Sequence, residues 1–110
     1  MPRKKAPFKD YEGSKPNDKH IRLTQDMLMS RQFIGLSGNA KSLYLYMKLW
    51  ACGKIEFEYT ITNAENVMPK STFFRAKKEL IDFGFIEIVK NGKFNKTKNI
   101  YKFTTKWRTL

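Results

Sequence analysis

Lys70, Ser71, Thr72, Arg75 and Lys78 place three cations and two hydroxyls within nine residues, and Lys93, Lys96 and Lys98 follow soon after. These are anion-binding groups. An arginine presents a planar fork of donors that can grip a phosphate or a guanine edge through two bonds, a lysine acts as a point charge, and hydroxyls donate to phosphate oxygens. No nucleophile–base pair, glycine-rich phosphate loop or carboxylate pair can be assembled from the sequence, so the chain is expected not to be an enzyme. One cysteine, Cys52, and one histidine, His20, leave a structural zinc site without ligands, and neither metal nor cofactor is expected.

The first cluster needs a helix to hold it. At a helical step over 70–84, Phe73, Ala76, Leu80 and Phe83 form one apolar stripe, widened by Phe74 and Ile81. Ser71, Arg75, Lys78 and Asp82 point the other way, with Thr72 and Glu79 flanking. Helix start falls at Lys70 or Ser71, just after Pro69, and Gly84 is the stop. Free amides and hydroxyls at such a start suit a phosphate, Arg75 suits guanine, and Lys78 can reach a base or a phosphate. The same pattern also fits an ordinary amphipathic surface helix laced by the pairs Arg75–Glu79 and Lys78–Asp82.

The second cluster needs a hairpin. Residues 85–90 (FIEIVK) and 99–105 (NIYKFTT) are β-branched and aromatic, and Asn91-Gly92 with a lysine-rich loop joins them. Lys90, Lys93, Lys96 and Lys98 fall within nine residues that contain no acid, and Asn91, Asn95 and Asn99 add hydrogen-bonding groups. Such a tip can follow a phosphate backbone or a minor groove; lysines on a hairpin also serve simply to block edge-to-edge aggregation. Phe94 is expected to pack back on the sheet.

The chain's charge follows this arrangement. Lys and Arg number 22 against 10 Asp and Glu, a net +12. Residues 1–22 carry seven basic residues and three acids, 23–68 four of each, and 69–110 eleven basic residues and three acids, so the ends hold +4 and +8 around a neutral middle. A surface charged only for solubility would intersperse the signs, yet residues 88–110 contain no acid.

The middle supplies the scaffold. Thr24 is placed to cap a short helix through Arg31 that buries Met27 and Leu28. Ser37 is placed to cap a helix over 38–52 that Gly53 ends. On it Ala40, Leu43, Tyr44, Met47, Trp50 and Ala51 recur at helical spacing, while Leu45, Tyr46 and Leu49 make the opposite face apolar too. Such a helix is expected to be covered on both sides, by the rest of the domain or by a second subunit, in which case Leu45 and Leu49 sit at a two-fold interface. Ile55, Phe57 and Tyr59 alternate with Glu56 and Glu58 as a half-buried strand, and Thr62-Asn63-Ala64-Glu65 has capping-box spacing for a short helix that Pro69 closes. Cys52 reads as a small core residue, and Trp107 as packing the C-terminal strand onto the domain.

At 110 residues with 41% hydrophobic content, one domain with a real core is expected. Residues 1–20, with Pro2, Pro7 and Pro16 among alternating charges, read as a disordered basic arm, and 21–110 as the folded domain. No stretch is apolar enough to span a membrane, no secretion signal stands at the start, and a single cysteine fits a reducing cytosol.

The order helix, helix, strand, helix, helix, strand, strand predicts an α+β winged helix–turn–helix: a three-helix core, an additional short N-terminal helix, and a small antiparallel sheet with a β-hairpin wing. The run ITNAENVMPKSTFFRAKKELIDFGFIEI resembles the bacterial winged-helix pattern, with a Thr-capped helix, a turn, a Ser-Thr helix start and Gly-Phe-Ile leading into the wing. The run HIRLTQDMLMSRQFIGLSGNAKSLYLYMKLW is similar to the leading part of small proteins of Gram-positive plasmids, phages and integrative elements, and to the N-terminal domains of their replication initiators. The turn departs from the pattern: Val67-Met68-Pro69 stands where a glycine is usual. The resemblance implies double-stranded DNA as partner, with Lys70, Ser71, Thr72, Arg75, Lys78 and, at the groove edge, Phe74 as contacts from the recognition helix, and Lys93, Lys96 and Lys98 as contacts from the wing. It further implies a cytoplasmic, nucleoid-associated transcription regulator or replication and maintenance factor of a mobile element. A protein-docking or homodimerising winged-helix module and an RNA-binding protein are the alternatives; RNA binding would need exposed aromatics on the sheet, whereas the alternation assigns Phe57, Tyr59 and Phe103 to the core.

Overall fold

The computed structural model describes residues 20–90 and 99–109. The proposed arm over 1–20, save His20, and the tip residues Lys93, Phe94, Lys96 and Lys98 lie outside them. The described chain is α+β, with five α-helices and a three-stranded antiparallel sheet, an order compatible with a winged-helix-like arrangement. The helices are α1 (Gln25–Leu28), α2 (Arg31–Ile34), α3 (Gly38–Ala51), α4 (Ile61–Glu65) and α5 (Lys70–Asp82), and a 3-10 turn spans Lys106–Thr109. The strands are β1 (Glu56–Glu58), β2 (Ile86–Lys90) and β3 (Ile100–Phe103), in the order β1-β3-β2.

The first expected helix is two. Ser30 accepts from the Phe33 amide at 3.1 Å and donates to the Met27 carbonyl at 2.6 Å, so its hydroxyl closes α1 and caps α2. A short polar side chain that bonds its own backbone competes with helix continuation, which is why the run does not reach Arg31 intact. Thr24 is the N-cap residue of α1 but does not cap it through its side chain. Its hydroxyl instead bonds the Asp26 carboxylate, which this bond and Arg108, at 2.7 Å, hold below the usual carboxylate range.

Helix α3 begins as its sequence requires, with the Ser37 hydroxyl accepting from Ala40 N at 3.1 Å. Ala40, Leu43, Tyr44, Met47 and Ala51 are buried, but Trp50, expected among them, is 54% exposed. The helix ends at Ala51, and Cys52, expected in the core, is an exposed C-cap residue in the left-handed region (φ 52°). Ile55 is likewise exposed, outside the three-residue β1, while Phe57 and Tyr59 are buried as their alternation requires. The capping box of α4 sits two residues earlier than expected. Thr60 accepts from the Asn63 amide at 3.0 Å, and the Asn63 side chain accepts from Thr60 N at 3.1 Å, so Asn plays the part assigned to Glu.

Sheet and helices meet over aromatic rings. Phe57 faces Tyr101 in the β1–β3 register, and Ile86 and Ile88 face Phe103 and Tyr101 in the β2–β3 register. A bulge between Ile88 and Lys90 shifts the pairing as the hairpin leaves the sheet. The Phe57 and Phe103 rings stack 4.6 Å apart, and Phe85 stacks on Trp107 at 5.8 Å, so Trp107 packs the C-terminal 3-10 turn, not β3, onto the core.

Three tyrosines are buried in this core. Burial pushes the Tyr44 phenol up to about 12 and raises those of Tyr59 and Tyr101. A phenol raised above its unfolded value contributes stability that is intact below pH ~10 and lost as pH climbs through the folded value. Cooperative loss of helical circular dichroism between pH ~10 and ~12, coincident with tyrosinate absorbance, is the expected result. Gradual ionisation below pH ~10 with no unfolding would contradict the burial.

Candidate nucleic-acid interface

Helix α5 is fixed from its inner side. Phe73, Ala76 and Leu80 are buried, which turns Lys70, Ser71, Phe74, Arg75, Lys78 and Asp82 to the exterior, with Thr72 half-buried. Buried Met68 anchors the turn before α5, and Val67 and Met68 both donate to the Ala64 carbonyl at 2.9 Å. The turn that lacks the usual glycine thus closes through its backbone. Pro69 is the N-cap and gives α5 no side-chain cap, so the first-turn amides face outward beside the hydroxyls of Ser71 and Thr72.

The two intrahelical ion pairs of the ordinary surface-helix reading have different fates. Lys78 meets Asp82 at 3.0 Å, an exposed pair of the kind worth only a few tenths of a kcal/mol and easily exchanged. Glu79 does not meet Arg75. Its carboxylate turns to the start of α3, accepting from Ser37 N at 2.9 Å and from the Ser37 hydroxyl at 2.7 Å. Arg75 therefore has no ion pair among the described residues.

Similar engagements sort the other cations. Lys102 and Lys106 hold Glu87 at 3.4 and 2.8 Å, and Lys106 first, then Lys102, keep that carboxyl below its ordinary range. Arg108 is held by Asp26 and lies over the Trp107 ring at 4.5 Å. Among the described basic residues from 69 onward, those without an ion pair are Lys70, Arg75, Lys77 and Lys90, three on α5 and one where β2 runs into the hairpin. Among the described residues, the unpaired charge of the C-terminal segment thus stands mainly on α5.

Sequence reasoning missed Lys77. Its ammonium lies 5.4 Å from the Phe73 ring centroid and 5.0 Å from that of Phe74, and burial lowers its pKa. The spacing of Lys77 from Phe73 (i+4) and Phe74 (i+3) is the signal that was available. Phe74 itself is 40% exposed at the border of the cationic face. Lys90 is exposed at the end of β2. His20 is exposed at the first described position.

On α3, Leu45 and Leu49 are part-exposed beside Tyr46 and Trp50, so the outer side of that helix is left uncovered by the described domain. Among the described residues no three His, Cys, Asp or Glu side chains gather as metal ligands, and no helix is long and apolar enough to cross a membrane. Compared with known proteins, the chain matches no family model, no curated protein and no solved structure.

Proposed function

We propose that the protein is a winged helix–turn–helix that binds double-stranded DNA, with α4 and α5 as its helix–turn–helix, α5 in the major groove and the β2–β3 hairpin as a wing on flanking phosphates. The observation that carries this reading is Arg75, exposed on the outer face of α5 without an ion-pair partner among the described residues while its nearest candidate acid, Glu79, is bound to Ser37. An exposed guanidinium in the second turn from an uncapped helix start is matched to a guanine edge, with Lys70, Ser71 and Thr72 placed for phosphate. Lys78 exchanges Asp82 for DNA, and Phe74 borders the groove. Lys93, Lys96 and Lys98 belong to the wing by sequence. The basic arm adds sequence-independent attraction.

Taken with the resemblance of its sequence, the protein acts in the cytoplasm, on the nucleoid, as a transcription regulator or a replication and maintenance factor of a mobile element. It is not an enzyme and uses no cofactor or small-molecule substrate. RNA binding is disfavoured by the burial of Phe57 and Tyr59, with Phe103 half-buried against the core and Tyr101 buried beside them, which leaves the sheet few rings to stack on bases.

Arg75→Ala is expected to weaken binding to the preferred duplex by about 1–3 kcal/mol and to relax base preference, whereas Lys96→Ala weakens binding to all duplexes alike. Fluorescence anisotropy with preferred and scrambled duplexes separates the two effects. An Arg75→Ala protein that binds both like the parent overturns the assignment.

A further inference from the structure

We infer that the open groove between α3 and α4 is a self-association surface whose occupant is the same groove of a second copy of this chain. The groove, of about 670 Å³, is lined by Tyr46, Leu49, Trp50 and Val67, with Asn63 and Asn66 along its side and no charged residue in its wall. Trp50 is 54% exposed there, its ring edge-on to Tyr59 at 6.4 Å. Clustered exposed rings and aliphatic side chains of this kind mark contact surfaces.

Charge selects the occupant. A chain of net +12 repels its own copies, and that repulsion is least where the charge is locally cancelled. Residues 38–68 are such a place: Lys41, Lys48 and Lys54 are matched by Glu56, Glu58 and Glu65. The ammonium groups of Lys41 and Lys48 lie over the Phe33 ring and the Tyr44 and Phe103 rings respectively, which keeps them to the flank of α3. The acids all follow α3 in the chain, and Glu56 and Glu58 line, with Lys54, a depression shared with Trp50, so that end too is close to neutral. An antiparallel two-fold contact through the groove therefore brings the uncharged walls of two copies together, with Lys41 and Lys48 on the far flank of α3.

Bulk is self-complementary in the same sense. Along its outer side α3 runs from Gly38, Asn39 and Ser42 through Leu45 and Tyr46 to Leu49 and Trp50. Antiparallel pairing about Leu45 and Tyr46 sets the small start of one helix against the bulky end of the other, as an isologous interface requires. The outer face of α5 stays open in such a dimer.

Cys52, the single cysteine, lines the groove and is exposed, so its reaction with a maleimide reads coverage of the groove in the unaltered protein. Sedimentation velocity from about 1 μM to about 1 mM is expected to show a monomer passing to a dimer, with Cys52 labelling slowed several-fold across the same range. Leu49→Glu is expected to weaken association at least about tenfold and to label at the dilute rate throughout, with its circular dichroism unchanged because Leu49 packs no core. A parent that stays monomeric with Cys52 equally reactive throughout leaves the groove to a different occupant and overturns the inference. So does a dimer that both Leu49→Glu and Leu45→Glu leave intact. The experiment contains no nucleic acid, so its failure is separate from any failure of DNA binding by α5.

Discussion

Gly84→Ala is expected to destabilise the protein by about 2–4 kcal/mol, seen as a lower denaturant midpoint with an unchanged slope. Gly84 follows the C-cap of α5 with φ +84°. Its amide bonds the Ile81 carbonyl at 3.1 Å and the next amide, of Phe85, bonds the Leu80 carbonyl at 2.9 Å, a Schellman closure that needs the left-handed conformation. An alanine there has a backbone penalty of about 1 kcal/mol. Space is the larger problem. A Cβ would lie 2.6 Å from Trp107 N and 2.8 Å from the Lys106 carbonyl carbon, both backbone atoms that no side-chain rotation can withdraw. The C-terminal turn must move, which loosens the Trp107–Phe85 stack and the Trp107 N to Gly84 carbonyl bond of 3.2 Å. Overpacking of this kind costs roughly 1–3 kcal/mol. A variant as stable as the parent would mean that the C-terminal turn does not rest on Gly84.

Affinity for a duplex is expected to fall by about three to four orders of magnitude as salt rises from about 50 to about 200 mM. Lys70, Arg75 and Lys78 on α5, Lys90 at the end of β2 and Lys93, Lys96 and Lys98 beyond it offer seven cations to one side of the proposed complex. Roughly six to eight neutralised phosphates, the arm included, give a log–log slope of about −5 to −7. Lys102, Lys106 and Arg108 are already bound to Glu87 and Asp26, and their replacement by glutamine is expected to leave that slope nearly unchanged. A slope shallower than about −2 would contradict a face built on phosphate contacts.

Much of the scaffold was legible because it rests on short-range chemistry. The apolar stripe of α5, the Ser37 cap of α3 and the alternation of Phe57 and Tyr59 each depend on side chains a few residues apart, and each appears where its spacing placed it. The misses came from competing local bonds or from tertiary contacts. Ser30 and Thr60 displaced the expected helix signals because their hydroxyls cap the amides three residues on, those of Phe33 and Asn63. Glu79 was paired with Arg75 on helical spacing, but Ser37, 42 residues away in sequence, holds it. Trp50 belongs to the apolar stripe by its period, yet it stands at the edge of the buried face, 54% exposed with its ring edge-on to Tyr59, while Ala51 beside it is buried. Of the candidate interface, the sequence showed which cations lie on the outer face of α5. It did not show which of the others are neutralised, because Lys102, Lys106 and Arg108 find their acids only through the fold.

Selection of bound duplexes from a randomised pool, run in parallel for the parent and Arg75→Ala, tests the central claim most directly. The parent is expected to enrich a defined motif containing guanine, as a palindrome if the copies pair through α3, and Arg75→Ala is expected to lose preference at that guanine while still retaining DNA. No enrichment by the parent, or the same motif recovered at the same affinity by Arg75→Ala, would contradict recognition of double-stranded DNA by α5.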